Sequence, residues 1–328
     1  MTAEKASVLT LRDLRVQFDT PNGPVQAVRG VDLDLAPGEI LGVVGESGSG
    51  KSVTFLAMLG LLPKSAKISG SAKIENTELV GATTKSMRSI RGQRVSMIFQ
   101  DPLSALNPVH RVGDQIVEMI RSHQDVSKKS AAASAVDLLG TVGIPQPKQR
   151  ADQYPHEFSG GMRQRVMIAM AIANDPQVLI ADEPTTALDV TVQAQILEVI
   201  DDLRDQMGMA VVMITHDLGV IARVADRVQV MYAGRVVERT NVESLFSDPT
   251  HPYTEGLLRS IPLLGHQRLL PIPGSPPNML RPPSGCAFRP RCPYALEECA
   301  GDVPELEPVG PAESACVRAA TLNLGVLT

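Results

Sequence analysis

The first 285 residues of this 328-residue chain contain no cysteine. A disulfide scaffold is thereby excluded for most of its length. Nowhere do eighteen apolar residues run together, so no segment is expected to cross a bilayer as a helix. An excess of basic charge is missing as well. The net charge is −5 and the isoelectric point about 5.7, which leaves no electrostatic footprint for nucleic acid. Met1-Thr2-Ala3-Glu4-Lys5 is followed by no apolar stretch, so no secretory signal is read there. The expectation is a cytosolic chain unless a partner holds it at a membrane. Internal repeats and low-complexity tracts are lacking too.

Hydrophobic residues at 43% and charged residues at 20% are enough for a sizeable core. The length suggests one large domain plus an accessory piece. Residues 8–16 and 25–35 alternate apolar and polar side chains, the pattern of paired strands. Residues 40–44 are a short apolar run of the kind buried on both faces of a parallel sheet, and a helical pattern follows over 51–62. Residues 95–99 read as another strand, and 101–152 as mostly helical. Strand and helix then alternate: 178–181, 191–207, 210–214, a helix from 218, and 228–232. The fold class is α/β, a layered core with a helical insertion. Beyond about 246 prolines dominate, among them Pro271, Pro273, Pro276, Pro277, Pro282, Pro283, Pro290 and Pro293. That density forbids regular helix or inner strand and predicts a loop-rich module.

Gly45-Glu46-Ser47-Gly48-Ser49-Gly50-Lys51-Ser52 fits G-x-x-x-x-G-K-[ST] between a buried strand and a helix, the context a phosphate loop requires. Its glycines let backbone N–H groups turn toward a phosphate, and the helix N-terminus adds its dipole. Lys51 offers a point charge and Ser52 a hydroxyl for Mg²⁺. This alone says nucleotide, and leaves kinases, GTPases and motors open. The strand at 178–181 ends in Asp182-Glu183. Asp182 stands where a strand end can hold a Mg²⁺ shell, and Glu183 where a general base can face water. Gln100 and His216 each follow an apolar strand, at the strand ends where α/β sheets carry their ligand sites. Ser159-Gly160-Gly161 opens a helical run over 162–173 and makes a second anion-binding helix start.

Ser159-Gly160-Gly161-Met162-Arg163-Gln164-Arg165, with Asp182-Glu183-Pro184-Thr185 and Ala187-Leu188-Asp189, resembles the ABC ATPase family over about residues 8–250. The resemblance implies a P-loop NTPase of the ABC type: a nucleotide-binding domain over 1–246, with a helical subdomain at about 101–160, and a C-terminal module over 247–328. It implies ATP held by Gly45, Ser47, Gly48, Ser49, Gly50, Lys51, Ser52 and Val53, with adenine stacked on Phe18. It implies Mg²⁺ held by Ser52, Gln100 and Asp182, catalysis by Glu183, His216 and Gln100, and Asp189 at a dimer seam. Ser159, Gly160 and Gly161 would form the signature and act on ATP held by a second subunit, since one domain needs only one γ-phosphate cradle. Phe158 and Met162 flank that signature where many family members have Leu and Gln; the Ser-Gly-Gly itself is intact.

Further runs resemble the oligopeptide/dipeptide importer branch: Phe99-Gln100-Asp101-Pro102 with Leu106-Asn107-Pro108, Tyr154-Pro155-His156-Glu157, Asp189-Val190-Thr191-Val192-Gln193 and His251-Pro252-Tyr253-Thr254. The branch implies a second ATPase subunit (a paralogue), two membrane permeases, an extracytoplasmic peptide-binding protein, and a place at the cytoplasmic face of the membrane. A nickel or metal-chelate importer shares much of this pattern. A soluble ABC ATPase of DNA repair or translation usually carries two cassettes or a coiled-coil insertion, and this chain has neither.

Cys286, Cys292, Cys299 and Cys316 are clustered, which in a reducing cytosol points to metal rather than disulfides. The spacing lacks the tight pairs of zinc sites and departs from ferredoxin runs, so it does not choose the metal. Resemblance to peptide-importer tails implies a 4Fe-4S cluster on the four thiolates. Cys₄ Zn²⁺ and four unligated thiols are the other readings.

Overall fold

The computed structural model describes residues 7–260 and 271–324. The opening pentapeptide and the reading placed on it lie outside the described residues. In chain order the elements are β1 (Leu9–Thr20), β2 (Gly23–Leu35), β3 (Ile40–Val44), α1 (Lys51–Met58), β4 (Ala66–Ile74), β5 (Thr77–Glu78), α2 (Thr84–Ile90) and β6 (Val95–Ile98). There follow α3 (Pro102–Ala105), α4 (Val112–Arg121), α5 (Lys128–Thr141), α6 (Pro147–Arg150), α7 (Gly160–Ile172), β7 (Val178–Asp182), α8 (Val190–Met207) and β8 (Ala210–Thr215). The last are α9 (Leu218–Val224), β9 (Arg227–Tyr232), β10 (Arg235–Asn241), α10 (Val242–Ser247), α11 (Pro252–Arg259), β11 (Glu307–Val309) and β12 (Ala312–Ser314).

The chain forms two compact units, each assembled from separated stretches of sequence. Among the described residues, one unit takes 7–8, 35–39 and 81–213. Its strands lie in the order β8-β7-β6, and β6 and β7 run parallel with Val95 opposite Val178 and Ile98 opposite Ala181. Every residue of β7 and β8 is buried, as their unbroken apolar runs require. Helix starts in this unit follow local chemistry. Thr83, Ser127, Ser159 and Asp189 each accept a backbone N–H from the third residue onward, capping α2, α5, α7 and α8. Along α4, Val112, Ile116, Val117 and Ile120 form the buried stripe that holds the insertion together.

The other unit takes, among the described residues, 9–34, 40–80, 214–260 and 271–324. It carries an antiparallel sheet in the order β2-β1-β4-β5 and strands in the order β3-β9-β10-β12-β11. Strand β3 is wholly buried and pairs parallel with β9. Helix α1 stops at Met58, short of the predicted residue 62, because Gly60 adopts a left-handed φ of 60° and donates to the Ala57 carbonyl. Residues 271–306 hold only two single-turn 3₁₀ segments, Arg289–Arg291 and Glu297–Ala300, consistent with the proline density. Strand β12 pairs with β10, placing Ser314 opposite Glu238, so the C-terminal stretch belongs to the same unit as β1–β5. No described helix is long and apolar enough to cross a membrane.

Candidate functional site

In the second unit the turn from β3 into α1 forms the predicted loop. Gly45 has a φ of 149° and Gly48 a φ of 79°. At Gly45 a Cβ would stand 2.1 Å from the Met231 carbonyl oxygen, so the tight approach of loop to β9 admits no side chain. Gly50, also left-handed, caps α1. Lys51 is 6% exposed, and its Nζ donates to the carbonyls of Gly45 at 2.6 Å and Glu46 at 3.0 Å. The ammonium is thereby tethered inside the turn whose amides it serves. Thr54 returns its hydroxyl to the Gly50 carbonyl at 2.9 Å, and Gly234 N–H donates to the Ser49 carbonyl at 2.9 Å. Ser47 and Gly48 are exposed at the tip, Ser49 is buried, and Ser52 and Val53 are half-buried in the first turn of α1.

Phe18 lies half-buried near the end of β1, opposite Ala66 of β4, and His216 is exposed between β8 and the Asp217 cap of α9. Two neighbours of the loop were not singled out by the sequence. Tyr253 Oη accepts the Glu46 N–H at 2.7 Å, and Arg291 binds the Glu46 carboxylate through both terminal nitrogens, at 2.6 and 2.9 Å. Tyr253 falls in a run quoted above for the importer branch; nothing local marks Arg291, 245 residues away from its partner.

In the first unit, β7 delivers Asp182, 6% exposed, at its C-terminal end. The chain then turns sharply at Glu183, whose φ of 48° is unusual for a residue with a side chain. Two bonds hold the turn: Thr186 N–H donates to the Glu183 carbonyl at 3.2 Å, and Thr186 Oγ1 to its carboxylate at 2.8 Å. Gln100, exposed just past β6, donates from Nε2 to the same carboxylate oxygen at 2.9 Å. The structure thus brings together Gln100 and Glu183, which the sequence separates by 83 residues. Ser159 Oγ accepts the Met162 N–H at the start of α7, and Asp189 Oδ1 accepts the Val192 N–H at the start of α8. A Cβ on Gly161 would sit 2.5 Å from Val192, so the glycine lets α7 and α8 pack closely.

Cys286, Cys292, Cys299 and Cys316 form no disulfide and line one cavity, with His251 and Phe288 beside them. Burial raises the thiol pKa of Cys286 and Cys316, and pushes Cys292 to about 11, with neighbouring thiols adding to each shift. The neutral thiol is therefore favoured at Cys286, Cys292 and Cys316 unless a cation is bound. The four side chains share the cavity but, as placed, do not form a ligand set: among the described residues no group of three or more His, Cys, Asp or Glu is arranged to hold a metal ion.

Residues 28–186 match the family model described as ABC transporter, and residues 237–299 the one described as oligopeptide/dipeptide transporter, C-terminal region. The oligopeptide transport ATP-binding protein OppD of Salmonella typhimurium is 50% identical over 306 residues, covering 93% of this chain and 91% of that protein. The dipeptide transport ATP-binding protein DppD of Bacillus subtilis is 52% identical, covering 89% and 88%. OppD of Mycobacterium tuberculosis is 53% identical over 95% of this chain, which spans only about half (52%) of that longer relative. Among solved structures, the dimeric ABC transporter cassette MJ0796 superposes with a TM-score of 0.64 at 26% identity, covering 71% of this chain and 98% of that one. The fold is that of an ABC ATPase cassette, and the chain belongs to the family of ATP-binding proteins of oligopeptide and dipeptide ABC transporters.

Proposed function

We propose that this chain binds ATP with Mg²⁺ and hydrolyses it to power import of di- and oligopeptides across the cytoplasmic membrane. The observation that carries this reading is identity of about half to oligopeptide and dipeptide transport ATP-binding proteins across nearly the whole chain, tail included. The tail match disfavours a soluble, non-transport ABC ATPase, and the relatives' names favour peptide over nickel or a metal chelate as cargo.

In this reading the loop amides and Lys51 hold the phosphates, and Phe18 supports the adenine. The hydroxyl of Ser52, the carboxylate of Asp182 and the amide oxygen of Gln100 are hard oxygen donors of the kind Mg²⁺ takes, and they would complete its shell with ATP. Mg²⁺ supplies charge neutralisation on the phosphates. Glu183 orients and deprotonates water, His216 contacts the γ-phosphate, and Ser159 to Gly161 with Asp189 meet ATP bound by a second, paralogous subunit. Two permeases, docked on the segment at about 101–160, and an extracytoplasmic peptide-binding protein complete the transporter, with this chain at the cytoplasmic face. The test is ATP hydrolysis by the assembled transporter with and without peptide-loaded binding protein.

For the tail we propose a 4Fe-4S cluster on Cys286, Cys292, Cys299 and Cys316. Their shared cavity supports it, and binding would release the thiol protons. Anaerobically purified protein is expected to contain about four iron and four acid-labile sulfide per chain. About one zinc without sulfide replaces the cluster with a structural zinc site; neither metal sinks the proposal.

A further inference from the structure

Glu46 is the second residue of the phosphate loop, and each of its polar groups is engaged. Its N–H donates to Tyr253 Oη at 2.7 Å, its carbonyl accepts from Lys51 Nζ at 3.0 Å, and its carboxylate receives both arms of Arg291. Arg291 is itself fixed from the tail side. Its Nε donates to the Pro273 carbonyl at 2.8 Å and Nη1 to Tyr232 Oη at 3.3 Å. Its guanidinium lies over the rings of Tyr232 at 5.9 Å and Phe288 at 6.0 Å. The Arg291 side chain is 4% exposed, and those two rings pack against Tyr253 at centroid distances of 4.5 and 5.4 Å.

This is a bidentate, charge-assisted pair joining a buried side chain of the tail to the loop that cradles phosphate. The carboxylate raises the Arg291 pKa further and burial raises that of Tyr253, so the cation and the neutral phenol persist at any working pH. A phosphate loop works by presenting amides already turned inward. Where nothing holds the loop, ATP must order it, and the ordering cost appears as weaker binding.

We propose that Arg291 and Tyr253 are positioning residues for the phosphate loop, holding Glu46 so that the cradle is formed before ATP arrives. The proposal rests on the ATPase reading above. Neither residue is assigned to the attacking water, so their loss acts on ATP affinity rather than on turnover.

The test is steady-state ATP hydrolysis by the full chain in its assembled transporter, with Mg²⁺ and varied ATP. Arg291→Gln and Glu46→Gln are each expected to raise KM for ATP about ten- to hundredfold, the worth of a charge-assisted bond, with kcat within about threefold of wild type. Tyr253→Phe, which removes only the acceptor for Glu46 N–H, is expected to raise KM about tenfold. The Arg291→Gln/Glu46→Gln double variant should be no worse than the weaker single, because both break one interaction. Arg291→Lys should recover part of the affinity. If Arg291→Gln does not fold, Glu46→Gln and Tyr253→Phe decide. KM within twofold of wild type, or a fall in kcat at unchanged KM, overturns the proposal. Lys51→Ala separates the two levels: wild-type turnover in that variant defeats the ATPase reading, whereas its inactivity beside an unchanged KM in the other variants defeats only the positioning role.

Discussion

Glu183→Gln is expected to lower the maximal rate of ATP hydrolysis by about 10²–10⁴ while ATP affinity stays within a few-fold, read by phosphate release at saturating ATP and by equilibrium ATP titration. The amide can keep the contacts the carboxylate makes. Its oxygen still accepts from Thr186 Oγ1 and Gln100 Nε2, which lie at 2.8 and 2.9 Å. The left-handed backbone at Glu183 is held by the Thr186 N–H bond to its carbonyl, which the substitution does not touch. What is lost is the capacity to take a proton from water. Turnover within threefold of wild type would remove Glu183 from the role of base.

The second large effect belongs to Gly45. A Cβ there meets the Met231 carbonyl oxygen at 2.1 Å, a backbone atom within a strand, and the φ of 149° is one that side chains rarely adopt. Gly45→Ala must therefore move the loop or β9. The expected cost is about 2–4 kcal/mol of stability together with at least a hundredfold loss of ATP affinity. Gly48→Ala is the comparison, since no atom lies within 4 Å of its Cβ position at a φ of 79°. It should cost only about 1 kcal/mol, the left-handed penalty alone. Thermal unfolding and ATP titration of both variants check this, and equal effects would refute the steric argument.

Much of the fold could be read because its strongest signals are local. Strands β3, β7 and β8 are short apolar runs with every residue buried, and such runs have few other homes. The starts of α5 and α8 are written in Ser127 and Asp189 as caps. Strand β4 was not anticipated. Ala66, Ile68, Ala72 and Ile74 do alternate with Lys67, Ser69, Ser71 and Lys73, but Gly70 interrupts the pattern, at the point where β1 shifts register between Arg12 and Arg15. Strands β11 and β12 are three residues each and exist by pairing, β12 with β10 and β11 with β12.

The site divides in the same way. The phosphate loop and Asp182-Glu183 are contiguous motifs whose residue types carry their own chemistry. The left-handed turn at Glu183 has no glycine to announce it; two hydrogen bonds from Thr186 hold it instead. The pairs Gln100–Glu183 and Arg291–Glu46 join residues 83 and 245 positions apart. Composition and periodicity are silent on such contacts, because only the packed chain creates them.

The most direct measurement is the ATPase rate of this chain assembled in vesicles with the proposed second ATPase subunit and permeases, with the proposed binding protein supplied empty or peptide-loaded. A low basal rate, several-fold stimulation by the peptide-loaded protein, and loss of both rates in Glu183→Gln are expected. A rate indifferent to peptide, or one that persists in Glu183→Gln, would contradict the proposed function.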